Sequence, residues 1–235
     1  MVSRSENKKN IKKNLVLNAT ILFLALMLSF SSCKKDDPET EFSEEIQNLV
    51  PDSLLQSIRD LGMPINEGLT PPNIENIYLA SPLVLVSSNI NGDTPGKVFL
   101  DFKVEFSDQN SDDLTVKVSY VNGSEEGTGL GSLVSGSGND FSVFVKMTAT
   151  SHESDADLLL IISGTKANAG IKDLYYSIFM LNDYGDLSGY WIENGEGRIL
   201  YDYDGDSPII ESLTSINKEN SESIRSISSA MSISK

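Results

Sequence analysis

The sequence holds one cysteine, Cys33, one histidine, His152, and one tryptophan, Trp191, in 235 residues. A single cysteine excludes a disulfide within the chain, and with a single histidine it leaves too few ligands for a zinc site of the usual kind. A hydrolase triad would need His152 as its base. Its neighbour Ser151 is the nearest hydroxyl, but adjacent residues on an extended chain point apart. His152 in "TSHESD" therefore reads as a solvated loop residue. Basic residues are scarce too: 18 against 34 acidic ones, a formal charge of −16. That balance disfavours nucleic acid and anionic surfaces as partners. Long apolar runs are also lacking. The one candidate, Leu15 to Phe30, covers 16 residues and includes Asn18 and Thr20. A membrane-spanning helix needs about 20.

What is present at the start is a set of three signals in order. Arg4, Lys8, Lys9, Lys12 and Lys13 stand against one acid, Glu6; the uncharged run follows; then the small residues Ser31 and Ser32 precede Cys33. This is the layout of a secretory signal peptide. "SFSSC" resembles the bacterial lipobox, in which the residue after the cleavage point is a lipidated cysteine. The resemblance implies that residues 1–32 are removed and that Cys33 is acylated and anchored in outer-membrane lipid. Firm anchoring takes more than one chain. The part after the cut carries a formal −20, since the segment before it is +4. "KKDD", Lys34, Lys35, Asp36 and Asp37, resembles the export signal of Bacteroidota surface lipoproteins, a lysine and two acids just after the cysteine. That implies display on the cell surface.

The remaining 200 or so residues suffice for one domain with flanking segments. Residues 33–45 are charged and polar and read as a tether. Over 46–62, Leu54, Leu55, Ile58 and Leu61 recur at helical spacing, with Pro51 suited to a first turn and Gly62 to an end. This predicts a short amphipathic helix that packs on the domain or holds it off the membrane. Residues 63–76, with Pro71–Pro72, form a linker. From 77 to 210 the period becomes two. Leu100, Phe102, Val104 and Phe106 alternate with Asp101, Lys103 and Glu105, and "LTVKVSY" and "FSVFVKM" repeat the pattern. Such alternation marks strands with one wet face. Further strands are predicted over 77–87, 128–135, 156–163, 171–181, 189–193 and 197–203, separated by Asn/Gly/Asp turns.

The fold class is therefore all-β. The reading is an antiparallel meander closed as a barrel of about eight strands, with a two-sheet sandwich as the alternative. Residues 211–235 are serine-rich and read as a largely disordered tail, in which spaced isoleucines allow at most a weak helix. The segments "LGMPINEGLTPPNIENIYLASPLVLVSS" and "VSGSGNDFSVF" resemble Bacteroidota lipoproteins whose β domain is lipocalin-like, a resemblance covering about residues 20–210.

Three chemistries remain. Paired acids could serve a glycosidase, but in so acidic a chain proximity of carboxylates is expected by chance. Asp202, Asp204 and Asp206 alternate as in the first half of an EF-hand loop and are calcium candidates. Yet Ser207 and Leu213 occupy the positions where such a loop has glycine and glutamate. Tyr175, Tyr176, Phe179, Tyr190, Trp191, Tyr201 and Tyr203 crowd the last third, as in a ligand pocket, a sugar-stacking platform or an ordinary core. The expected function is a lipid-anchored binding module without catalytic activity or cofactor, holding a small apolar ligand or a glycan. A subunit binding a partner protein is the alternative, and a glycoside hydrolase ranks last. A hollow interior would favour the ligand, and a filled one with exposed aromatics the partner.

Overall fold

The computed structural model describes residues 42–122, 125–151, 154–186 and 189–213; side chains are not described for 125–131 or for 150 and 151. Cys33, Lys34, Lys35, Asp36, Asp37 and His152 lie outside the described residues, as do 214–235.

Among the described residues two helices come first, α1 (Glu44–Leu49) and α2 (Asp52–Asp60). Ser43 caps α1, its Oγ accepting from Ile46 N, and Glu44 and Glu45 sit favourably at the positive end of its dipole. The helix stops at Val50 because the residue before a proline is pushed out of the α region. One helix was expected over 46–62; Pro51 divides it in two. α2 ends in a Schellman turn: Gly62, at φ 94°, lets Gly62 N reach Arg59 O and Met63 N reach Ile58 O.

Eleven strands follow: β1 (Asn76–Ala80), β2 (Leu83–Ser88), β3 (Val98–Phe99), β4 (Phe102–Asn110), β5 (Thr115–Asn122), β6 (Glu125–Ser137), β7 (Asp140–Ser151), β8 (Ser154–Ala167), β9 (Gly170–Asn182), β10 (Gly197–Asp202) and β11 (Asp206–Pro208). All pair antiparallel in one sheet of order β1-β4-β5-β6-β7-β8-β9-β10-β2-β3, with β11 on β9. β4 to β9 form the expected meander, and β10 pairs directly with β9, without the strand expected over 189–193 between them. The expectation of a closed eight-stranded barrel is corrected: the sheet curls but stays open, and its ladder ends at β1 and β3. The curl does bring β1 near β11, where Ile210 N donates to Ile77 O and Tyr78 makes one bridge with Ile209. The stretch 77–87 is two strands, because Pro82 has no N–H to donate to a ladder and interrupts it. Residues 189–193 form no strand.

The concave face is packed solid. Phe141, Phe106 and Tyr78 form one run of rings, at centroid spacings of 6.1 and 6.0 Å. Tyr120, Phe102 and Tyr176 form another, at 5.9 and 4.4 Å. Val104, Val118, Val143, Leu158, Leu160 and Ile178 fill the space between. The convex face carries a second core. There Phe42, Ile46, Val50, Ile58 and Met63 cover Leu133, Phe144, Leu159, Ile161, Phe179 and Ile199. This explains "LLLII" at 158–162: β8 is buried on both faces, so its residues do not alternate. Gly197 is required here, because an added Cβ would overlap the Phe179 ring and the Ile178 carbonyl.

Candidate functional site

Strand parity sorts the aromatic residues of the last third. Tyr176 points to the concave core and stacks on Phe102, while Phe179 points to the helix-covered convex core. Trp191 is buried in the concave core, with Tyr190 edge-on to it at 5.2 Å. Asp186 pins that corner by accepting from Tyr190 N and Trp191 N. These four rings serve packing. Tyr175, Tyr201 and Tyr203 do not belong to it in the same way. Tyr175 and Tyr201 are cross-strand partners on the convex face, with ring centroids 4.7 Å apart, and both are half-buried. Tyr203, just beyond β10, is 70% exposed.

Register extends this pair into a row. Tyr201 of β10 stands opposite Val84 of β2, and Val84 opposite Val98 of β3. The row Tyr175–Tyr201–Val84–Val98 thus crosses four strands, from the rim of the helix-covered core to the free sheet edge. Val98 is 64% exposed, and Val86, two residues along on the same face as Val84, is also exposed. Scattered apolar residues on a surface mean little, but a contiguous row does. The sequence singled out the tyrosines and missed Val84, Val86 and Val98. Their only signal was an alternation in "LVLVSS" whose exposed half cannot be told from sequence.

Polar groups frame the row. Tyr201 Oη donates to Asp173 Oδ1 at 2.8 Å. Burial and then this carboxylate push the Tyr201 phenol up to about 12, so it remains a neutral donor. Lys172 pairs with Asp206, and Asp204 is exposed beside them.

The three calcium candidates do not converge. Asp202 is fully buried on the concave side, its Oδ1 accepting from Ser81 N at 3.1 Å and its Oδ2 from Ser207 Oγ at 2.6 Å. Asp204 Oδ1 accepts from Asp206 N, and Asp206 is engaged by Lys172. Among the described residues no three acidic, histidine or cysteine side chains gather as a metal site.

No family model, curated protein or solved structure matches this chain.

Elsewhere the convex face bears a groove of about 320 Å³ between α1 and the sheet, lined by Glu45, Asn48, Leu49, Ser132, Leu133, Phe144 and Lys146. Beside it Asp157 accepts from Lys146 Nζ at 2.8 Å, Thr148 Oγ1 at 2.8 Å and Tyr184 Oη at 2.9 Å. Burial alone would raise the Asp157 carboxyl, but these three donors outweigh it and hold the group below the usual carboxylate range. So satisfied a carboxylate is a poor general acid or base. No sequence motif singled out Asp157.

Proposed function

We propose that the protein is a surface-displayed, lipid-anchored binding module without catalytic activity, and that it takes an extended glycan on its convex face. The Tyr175–Tyr201 pair carries this reading. Two neighbouring rings, half-exposed and held rigid by register and by Asp173, offer flat π-faces to the C–H-rich faces of sugar rings. Asp173, Asp204 and the Tyr201 hydroxyl supply hydrogen-bonding groups at the edge, where sugar hydroxyls would lie. The solidly packed concave face favours a surface ligand over an enclosed apolar one. Anchoring through Cys33 and export through Lys34, Lys35, Asp36 and Asp37 remain part of the proposal, on their resemblance to lipoprotein signals.

The test is isothermal titration of the soluble domain, residues 42–235, against a panel of neutral and acidic oligosaccharides. Binding to at least one, lost on Tyr201→Ala with the melting temperature changed by only a few degrees, supports the reading. Absence of any sugar binding, with a protein captured from the cell surface in a Tyr201-dependent manner, would replace the glycan by a protein partner.

A further inference from the structure

The tyrosine pair stands where β9 changes partner. The β9–β10 ladder ends at Tyr175–Tyr201, and β9 pairs with β11 from Lys172–Asp206 onward. Between the two ladders β9 bulges. Its register on β8 passes from Ser163–Tyr175 to Thr165–Lys172, so Gly164 faces both Asp173 and Leu174. Glycine is required there, since an added Cβ would lie 2.5 Å from Ile171 Cγ2 and 3.1 Å from the Lys172 carbonyl oxygen. Asp173 takes the left-handed conformation, at φ 50°, which aspartate adopts more readily than most side chains. Leu174 returns to the concave core, while Asp173 stays exposed and meets Tyr201 Oη on the convex side. The turn from β10 to β11 closes on the same spot. Asp173 N donates to Gly205 O at 3.1 Å, and Gly205 is at φ 73°. An added Cβ at Gly205 would come to 3.1 Å from Tyr201 Oη and 3.4 Å from Asp173 Oδ1. Bulge and turn together hold one carboxylate at the hydroxyl end of the ring pair.

Resting on the glycan reading, we infer that this site ranks glycans by charge, amino sugars first, neutral sugars next and acidic sugars last, and that Asp173 sets the order. The polar groups at the end of the rings are acceptors. Tyr201 gives its proton to Asp173 Oδ1, which leaves the lone pairs of the phenol oxygen and of Asp173 Oδ2 facing outward. The cation next along β9, Lys172, is engaged by Asp206, and the exposed Asp204 adds a further negative charge. Acceptors of this kind suit a ligand edge made of donors. A sugar hydroxyl meets that need, and a protonated amine meets it with three donors and an opposite charge, which strengthens each bond. A uronate or a sulfate ester sets acceptor against acceptor and a like charge beside Asp173 and Asp204. Because Asp173 is exposed, the gain from an amine is that of a surface ion pair and not of a buried one.

Titration calorimetry of residues 42–235 tests this with equally linked hexamers of glucosamine, glucose and glucuronic acid. At about pH 5.5 amines are protonated and carboxylates ionised. The glucosamine hexamer should bind about fivefold tighter than the glucose hexamer, and the glucuronic hexamer weakest. Asp173→Asn removes the charge and keeps an acceptor for the Tyr201 hydroxyl. It should bring the first two hexamers within about twofold of each other, with the glucose hexamer's affinity and the melting temperature little changed. Asp112→Asn makes the same change of charge on the exposed turn between β4 and β5 and should leave the ratio as it is. Equal loss of preference in both variants would overturn the inference, because the acidity of the whole chain would then draw the amine. So would an acidic hexamer that binds best, or an order that survives Asp173→Asn. Each of these leaves the glycan reading standing, whereas binding of no sugar at all would end both.

Discussion

Arg198 and Asp93, 105 residues apart, form a forked ion pair with both side chains only 7% exposed: Nε to Oδ2 at 2.5 Å and Nη2 to Oδ1 at 3.1 Å. Ser88 Oγ donates to the same carboxylate. Nη1 of Arg198 is buried with no partner among the described residues, so the guanidinium depends on Asp93. Burial alone would raise the Asp93 carboxyl; the bonds from Arg198 and Ser88 outweigh it and hold it below the usual range. Its contribution is thus present at neutral pH and fades as pH falls through the lowered value. Asp93→Ala should cost about 3–5 kcal/mol in urea unfolding, because it strands a buried charge. Asp93→Ala with Arg198→Met should recover most of that loss. A double variant no more stable than the single one would show that the loop from Ser88 to Lys97, not the charge, is what matters.

Asp202 has the opposite sign. Burial, with added repulsion from Asp204 and Asp206, raises its carboxyl above the usual range despite the bonds from Ser207 and Ser81. Between the unfolded value of about 3.9 and the raised folded value, the native state holds the extra proton. Stability from this residue therefore falls as pH rises through that window. Thermal melts from pH 3.5 to 7 should show this slope in the native protein and a flatter profile in Asp202→Asn. An identical slope in both would assign it to other acids.

Ile58 is the buried centre of α2 and belongs to the convex core with Leu159, Ile161 and Phe179. Ile58→Ala should cost about 2–5 kcal/mol, as a large-to-small change in a filled core does. The exposed Leu69 is a control, and Leu69→Ala should change stability by less than about 0.5 kcal/mol. A small effect at Ile58 would mean that the helices contribute little to the fold.

The surface-display proposal predicts that Lys35, Asp36 and Asp37 act without a folding role. Their joint change to alanine should leave Cys33 lipidation and the melting temperature intact while protease added to whole cells no longer digests the domain. Equal digestion of both forms would reduce the segment to a tether.

Much of the fold was legible in the residues, for a local reason. Period two in "LTVKVSY" and "FSVFVKM" reports a strand directly, whereas "KVFLDFKVEF" is divided between β3 and β4, and Asn–Gly and Gly–Ser–Gly mark the reversals from β5 to β6 and from β6 to β7. Pro51 and Gly62 are helix signals in the sequence, yet the break at Val50–Pro51 comes from the same proline. Harder to read was "LLLII", where a continuous apolar run signals burial on both faces without saying what supplies the second cover.

The sequence by itself determined the all-β class, the hairpin order from β4 to β9, the acidic surface and the concentration of aromatics in the last third. All of these rest on contacts between near neighbours or on composition. Only the tertiary structure decided that β2 inserts beside β10, that the sheet stays open, and that Tyr175 and Tyr201 share a row with Val84 and Val98. It also decided that Asp202 turns inward, away from Asp204 and Asp206. Each of these depends on register between strands, for Tyr201 and Val84 across 117 residues of chain. A one-residue slip there would reverse every face, and no local pattern encodes it.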